Sequence, residues 1–213
     1  NPAKAMADNG YFKRPPIRHF TAIDQRDVPA LVEKLHWKGE QQKLNPETVC
    51  ALLLALYTGL RDASIRGAEW REINFTKKLW TVPAERMKSR TKHEVPLPTQ
   101  AIKALVTLQP LTDRGPNSFI FASRSKSGFM AENTLRLALH RLGFEVTLHG
   151  FRSLITDVLN ENEFSPDAIE KQLDHQERSH VRRAYLRSDF MAQRKKMMQW
   201  FADWCDGAEQ TNI

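Results

Sequence analysis

The sequence has 213 residues, 41% hydrophobic and 27% charged, a balance that suits a globular chain with one sizeable core rather than two full domains. No apolar run approaches the length needed to span a bilayer, which argues against a membrane protein. Lys and Arg number 32 against 25 Asp and Glu, a formal charge of +7; this favours an anionic partner such as nucleic acid, although a merely solvated basic surface has the same balance.

The first residues lack an initiator Met and lead into no apolar signal core, so the chain reads as part of something longer. Residues 1–20 carry Pro2, Pro15 and Pro16 among scattered basic residues, the pattern of a linker or arm. Folded structure is expected from Thr21. Asp27 before Pro29 marks a helix start, with Leu31, Val32 and Leu35 on one side. Asn45-Pro46-Glu47 is a stronger start signal: Asn caps, Pro suits the first turn and Glu complements the dipole. Val49, Leu52, Leu53 and Leu56 follow at core-facing spacing, and Gly59 ends the helix. Cys50 lies in that apolar run and reads as a buried thiol; with Cys205 as the only other cysteine, the chain reads as intracellular and reduced.

Between residues 72 and 97 the pattern changes to short β-type runs carrying Ile73, Phe75, Leu79, Trp80, Val82 and Val95, broken by Thr76-Lys77-Lys78 and by the polar stretch 88–93. A small antiparallel sheet is expected. Helices are expected over 100–108, over 131–142 ending at Gly143, over 150–160, after Ser165-Pro166-Asp167, and over about 189–206. The fold class is therefore mainly α with one small antiparallel β-sheet. The last helix carries Met197, Met198, Trp200, Phe201 and Trp204, which pack on their own domain or dock on a neighbouring copy.

Individually, the candidate chemical residues are weak signals. Tyr185 is one of three tyrosines and sits in the basic run Val181-Arg182-Arg183-Ala184-Tyr185-Leu186-Arg187. His149 and Arg152 form an H-x-x-R pair at a helix start, a place suited to an anion. Arg61 follows the helix-ending Gly59, Lys88 lies between two expected strands, and His175 precedes Tyr185 by ten positions. The seven histidines form no metal-ligand spacing, and neither a GxSxG nor a Walker-type pattern occurs.

Taken in order, Arg61, Lys88, His149, Arg152, His175 and Tyr185 resemble the active-site series Arg, Lys, His-x-x-Arg, His or Trp, Tyr of the tyrosine recombinases. Arg66-Gly67-Ala68-Glu69-Trp70, Val82-Pro83-Ala84-Glu85-Arg86-Met87-Lys88, Asp167-Ala168-Ile169-Glu170 and Met197-Met198-Gln199-Trp200 are similar to the integrases of temperate phages and genomic islands. The resemblance covers roughly 21–204. It implies the DNA breaking-rejoining catalytic domain over 21–206, a tail over 207–213, and an upstream core-binding domain joined through 1–20. The implied reaction is site-specific recombination for integration or excision of a prophage or island, through a 3′-phosphotyrosine. Tyr185 is then the nucleophile, Arg61 and Arg152 clamp the phosphate, Lys88 is the general acid, His149 assists proton transfer and His175 bonds the phosphate.

No metal or organic cofactor is implied. The implied partners are double-stranded attachment-site DNA, a tetramer joined through the C-terminal helix, and excision or host architectural factors, in the bacterial cytoplasm at the nucleoid. One departure stands out: Ser64 occupies a position, three after Arg61, where the family has an acid that holds its neighbours, and Asp62 or Glu69 is the candidate replacement. Two other readings remain, a type IB topoisomerase or telomere resolvase and a DNA-binding relic that has lost catalysis. Phe151 inside the H-x-x-R pair, where many relatives have Leu, reads as a packing change.

Overall fold

The computed structural model describes residues 22–36, 44–175 and 188–207. After a 3₁₀ turn at Gln25–Asp27, α1 runs over Val28–Leu35. Val28, Leu31, Val32 and Leu35 recur at the 3–4-residue period that lines one helix face, and all four are buried. The central helix, α2, spans Pro46–Thr58. Its start matches the sequence expectation, since the Asn45 side chain accepts from the Thr48 amide at 3.0 Å and Pro46 stands in the first turn. Every residue from Thr48 to Thr58 except Leu53 is buried, as a helix apolar on nearly all sides requires. Cys50 and Cys205 are both free and buried.

Gly59 ends α2 in the left-handed conformation, φ 65°. A Cβ there would lie 2.6 Å from Leu173 Cδ2 and 2.8 Å from Ile155 Cδ1, so backbone conformation and packing both demand glycine. Gly59→Ala is expected to cost about 3 kcal/mol from overpacking and left-handed strain, or roughly 6 to 12 °C in melting temperature by calorimetry.

The short α3, Asp62–Arg66, follows directly. Five residues are too few to show a periodic apolar face, which is why the sequence reading passed over it. The three-stranded antiparallel sheet has the order β1 (Ile73–Asn74), β2 (Leu79–Val82), β3 (His93–Pro96). Trp80 pairs with Ile73 on one side and Val95 on the other, and Val82 pairs with His93. Alternation along β2 buries Trp80 and Val82 completely.

Four further helices follow: α4 (Thr99–Thr112), α5 (Thr134–Arg141), α6 (Leu148–Glu161) and α7 (Pro166–Gln172); α8 (Met191–Cys205) comes after residue 188. α4 runs past its expected end at residue 108 and through Pro110, where the Asp113 amide still reaches the Gln109 carbonyl at 2.9 Å. α5 begins later than expected, because residues 132 and 133 form a turn before it. α8 buries Met197, Met198, Phe201, Ala202 and Cys205 in the domain's own core, while Trp200 and Trp204 are only partly buried. Among the described residues, no helix is long and apolar enough to cross a membrane.

Candidate active site

The corner that Gly59 creates delivers Arg61. Leu60 is buried as an anchor, and Arg61 caps the start of α3 with extended backbone, φ −68° and ψ 148°. A second segment brings His149 and Arg152. Thr147 caps α6 by accepting from the Gly150 amide at 3.2 Å, which places His149 and Arg152 in its first turns. Phe151 between them is fully buried, as the packing reading expected.

Both arginines close on the exit of α7. Arg152, 6% exposed, donates through Nη1 to the Gly59 carbonyl and through Nη2 to the Leu173 carbonyl at 2.7 Å. It thereby ties the end of α2 to the end of α7. Arg61 donates through Nη1 to Asp174 Oδ2 at 2.8 Å and through Nη2 to the Asp174 carbonyl at 3.1 Å. His175 follows, its Nδ1 2.9 Å from Glu170 Oε2.

These groups also act on one another through their charges. Burial, and then the charges of Arg152, His175 and Arg61, hold the His149 imidazole below its ordinary pKa. Largely neutral at pH 7, it is suited to accept a proton. Burial and the adjacent Arg61 pull Arg152 down to about 10, which still leaves it charged at neutral pH. Two guanidiniums thus meet at the exit of α7, with two imidazoles within electrostatic reach of them, an arrangement that suits a phosphate whose charge grows in a transition state.

Lys88 is exposed in a turn of the β2–β3 connection. That connection packs on α3 through its neighbours: Arg86 Nη1 donates to the Ser64 carbonyl at 3.1 Å, and Met87 Sδ lies 3.9 Å from Ser64 Oγ. Tyr185 lies outside the described residues, as do residues 1–21. Neither expected substitute for an acid at Ser64 serves Arg61. Asp62 pairs with Arg66, one helical turn away, at 2.6 Å, and Glu69 pairs with Arg71 at 2.8 Å. The carboxylate that Arg61 meets is Asp174.

A buried polar layer beneath the site was not anticipated. Gln172 donates to the Thr58 carbonyl at 2.9 Å and accepts from Arg194 Nε at 3.0 Å; Arg194 Nη2 donates to the Glu94 carbonyl at 2.7 Å. His93 Nε2 lies 3.1 Å from the Gln172 carbonyl. Arg194 reads as part of a basic run with Lys195 and Lys196, yet it precedes Met197, Met198 and Phe201 by three, four and seven positions, the apolar face of α8. That spacing was the available signal.

Burial first, and then Arg194, push the His93 imidazole down to about 4 from its ordinary 6.5. The folded state therefore favours neutral His93, whose contribution is complete above pH 6.5 and is lost as pH falls through the window toward 4. Thermal melts across that window are expected to lose about 3 kcal/mol of stability from this group, and His93→Gln should flatten the dependence.

A cavity of about 680 Å³ between α1, α2, α4 and α8 is lined by Leu35, Val49, Leu53, Tyr57, Leu108 and Asp206 among others. None of the expected catalytic residues that the structure describes lines it.

Comparison with known proteins identifies the family. The model of the phage integrase family matches residues 22–191. Prophage integrase IntA of Escherichia coli (strain K12) is 37% identical over 205 residues, 95% of this chain and 48% of that protein. The integrase of Shigella phage Sf6 is 34% identical over 212 residues, 97% of this chain and 52% of that protein. The chain thus spans about half the length of these curated relatives. Among solved structures, an integrase from mycobacterium phage Brujita superposes with a TM-score of 0.67 at 16% identity, covering 99% of this chain and 69% of that one. The Tn1549 transposon integrase, solved in complex with a circular intermediate DNA, gives 0.61 at 15% identity, covering 92% and 74%. At such identities the likeness concerns the fold, which is that of the tyrosine recombinase catalytic domain. With the family model matching most of the chain and these relatives at 34% identity or more, the chain belongs to the phage integrase family.

Proposed function

We propose that this chain is the catalytic domain of a site-specific recombinase that integrates or excises a prophage or genomic island by cutting and rejoining DNA. The observation that carries this reading is the meeting of Arg61 and Arg152 at the exit of α7, within electrostatic reach of His149 and followed by His175, which stands ten residues before Tyr185. Tyr185 attacks the scissile phosphorus, forming a 3′-phosphotyrosine as the bond to the 5′-oxygen breaks. Lys88 supplies the proton that makes the leaving oxygen a 5′-hydroxyl, and His149 takes the tyrosine proton. Arg61 and Arg152 hold the non-bridging oxygens, and His175 donates to the same phosphate. A 5′-hydroxyl of another strand then attacks the phosphotyrosine, restoring the phosphodiester and the free tyrosine without ATP.

The substrate in this reading is double-stranded attachment-site DNA, in keeping with the formal charge of +7. Residues 1–20 lead to an upstream core-binding domain, residues 207–213 form a C-terminal tail, and excision or host architectural factors bend the DNA at the bacterial nucleoid in the cytoplasm. Four copies assemble on the DNA through α8. Since α8 buries its Met and Phe side chains in its own domain and packs Trp200 and Trp204 partly against the same core, the contact falls on what those two tryptophans leave exposed.

The direct test incubates the 213-residue chain with a nicked duplex spanning a junction between the integrated element and its host chromosome. The reading expects a protein–DNA adduct that survives detergent and is destroyed by protease. Binding without an adduct would oppose it.

A further inference from the structure

We propose that Asp174 is a positioning residue for cleavage, the carboxylate that holds the Arg61 guanidinium in place beside Arg152; the inference rests on the recombinase reading above. Asp174 meets Arg61 twice, through Oδ2 at 2.8 Å and through its own carbonyl at 3.1 Å. The pair is partly sheltered, with 17% of the Asp174 side chain and 33% of the Arg61 side chain exposed. Enough of the guanidinium remains open to meet a phosphate.

Other nearby acids are committed elsewhere among the described residues: Asp62 to Arg66, Glu69 to Arg71 and Glu170 to His175. The physical need is clear, because the charge of Arg61 acts unfavourably on buried Arg152 while that of Asp174 acts favourably on it. Two cations gathered for a phosphate repel each other until it arrives, and a fixed carboxylate on the outer one holds the pair together.

Backbone geometry supports the assignment. Asp174 has φ 50°, left-handed backbone that glycine adopts freely and that Asn and Asp tolerate better than other residues. An aspartate there is less at ease in the turn than glycine would be but adds a carboxylate facing Arg61. The sequence offers no hint of this, since Asp174 follows α7 as an ordinary polar turn residue.

The test uses Asp174→Gly, which removes the carboxylate while easing the backbone, and Asp174→Asn, which keeps shape and left-handed tolerance without the charge. Adduct formation is timed in a single turnover with the nicked junction duplex at saturation, beside DNA half-saturation and melting temperature. Both variants are expected to melt no more than a few degrees below wild type and to half-saturate within threefold of it, yet to form adduct at least tenfold more slowly. A purely structural turn residue would move melting and not the saturated rate. Rates within threefold of wild type, or faster, would overturn the proposal, as would slowing that only tracks lost stability. A wild-type chain that binds the duplex and forms no adduct would instead remove the recombinase reading on which the proposal stands.

Discussion

Tyr185→Phe is expected to abolish the covalent adduct completely while leaving DNA half-saturation within about twofold of wild type. The phenolic oxygen is the only atom removed, and it is the atom that would bond to phosphorus. Of the three tyrosines, Tyr57 is unavailable: it is 2% exposed, and its hydroxyl donates to Asp206 Oδ1 at 2.8 Å. Burial, and then the Asp206 charge, also push that hydroxyl above the ordinary phenol range, so its anion is disfavoured. Tyr185 has a different setting in the reading proposed here, following the turn where Arg61, Arg152 and His149 gather. Detergent gels of the two proteins with labelled duplex check the first half of the expectation, and filter binding checks the second. Adduct from the Phe variant would show that another side chain attacks.

Arg152→Ala should produce the other large effect, on cleavage and stability together. Its guanidinium bridges the Gly59 and Leu173 carbonyls from a position 6% exposed, so truncation leaves both acceptors buried without their donor. An unsatisfied buried acceptor costs about 1–3 kcal/mol, and the variant is expected to lose about 3 kcal/mol in urea unfolding. Cleavage should fall further, on the order of 10²–10³-fold at saturating DNA, as when a preorganised donor to transition-state charge is removed. Arg152→Lys separates the two roles. It retains a cation but lacks the planar fork that spans two carbonyls, so it should recover part of the stability and little of the rate.

The parts of the fold legible in the sequence are those with strong local signals. Asn45-Pro46 placed the start of α2, Gly59 placed its end, and the β-type run with Leu79, Trp80 and Val82 marked the middle strand. Local signals failed where structure is short or imposed from outside. α3 is too brief for a period, α4 continues through Pro110 because only one backbone donor is lost, and Ser165 starts α7 without a side-chain cap bond.

The site divides in the same way. Order along the chain singled out Arg61, His149, Arg152 and His175, and the fold brings the two arginines together on the turn that precedes His175, within electrostatic reach of His149. What order could not show is which groups hold them. Asp174 acts across 113 residues on Arg61, and Gln172 reaches 114 residues back to the Thr58 carbonyl, contacts that no spacing rule encodes. Asp62 and Glu69 looked like substitutes for an acid at position 64 because they are near in sequence. Each instead meets another arginine, Arg66 for Asp62 and Arg71 for Glu69.

The most direct measurement of the central claim is to identify the residue that carries DNA. Wild-type adduct formed on the nicked junction duplex would be digested with nuclease and trypsin, and its peptides sequenced by mass spectrometry. The account predicts a nucleotide joined through its 3′-phosphate to Tyr185, in the peptide 184–187. A nucleotide on Tyr11, on a serine or on any other side chain would contradict it.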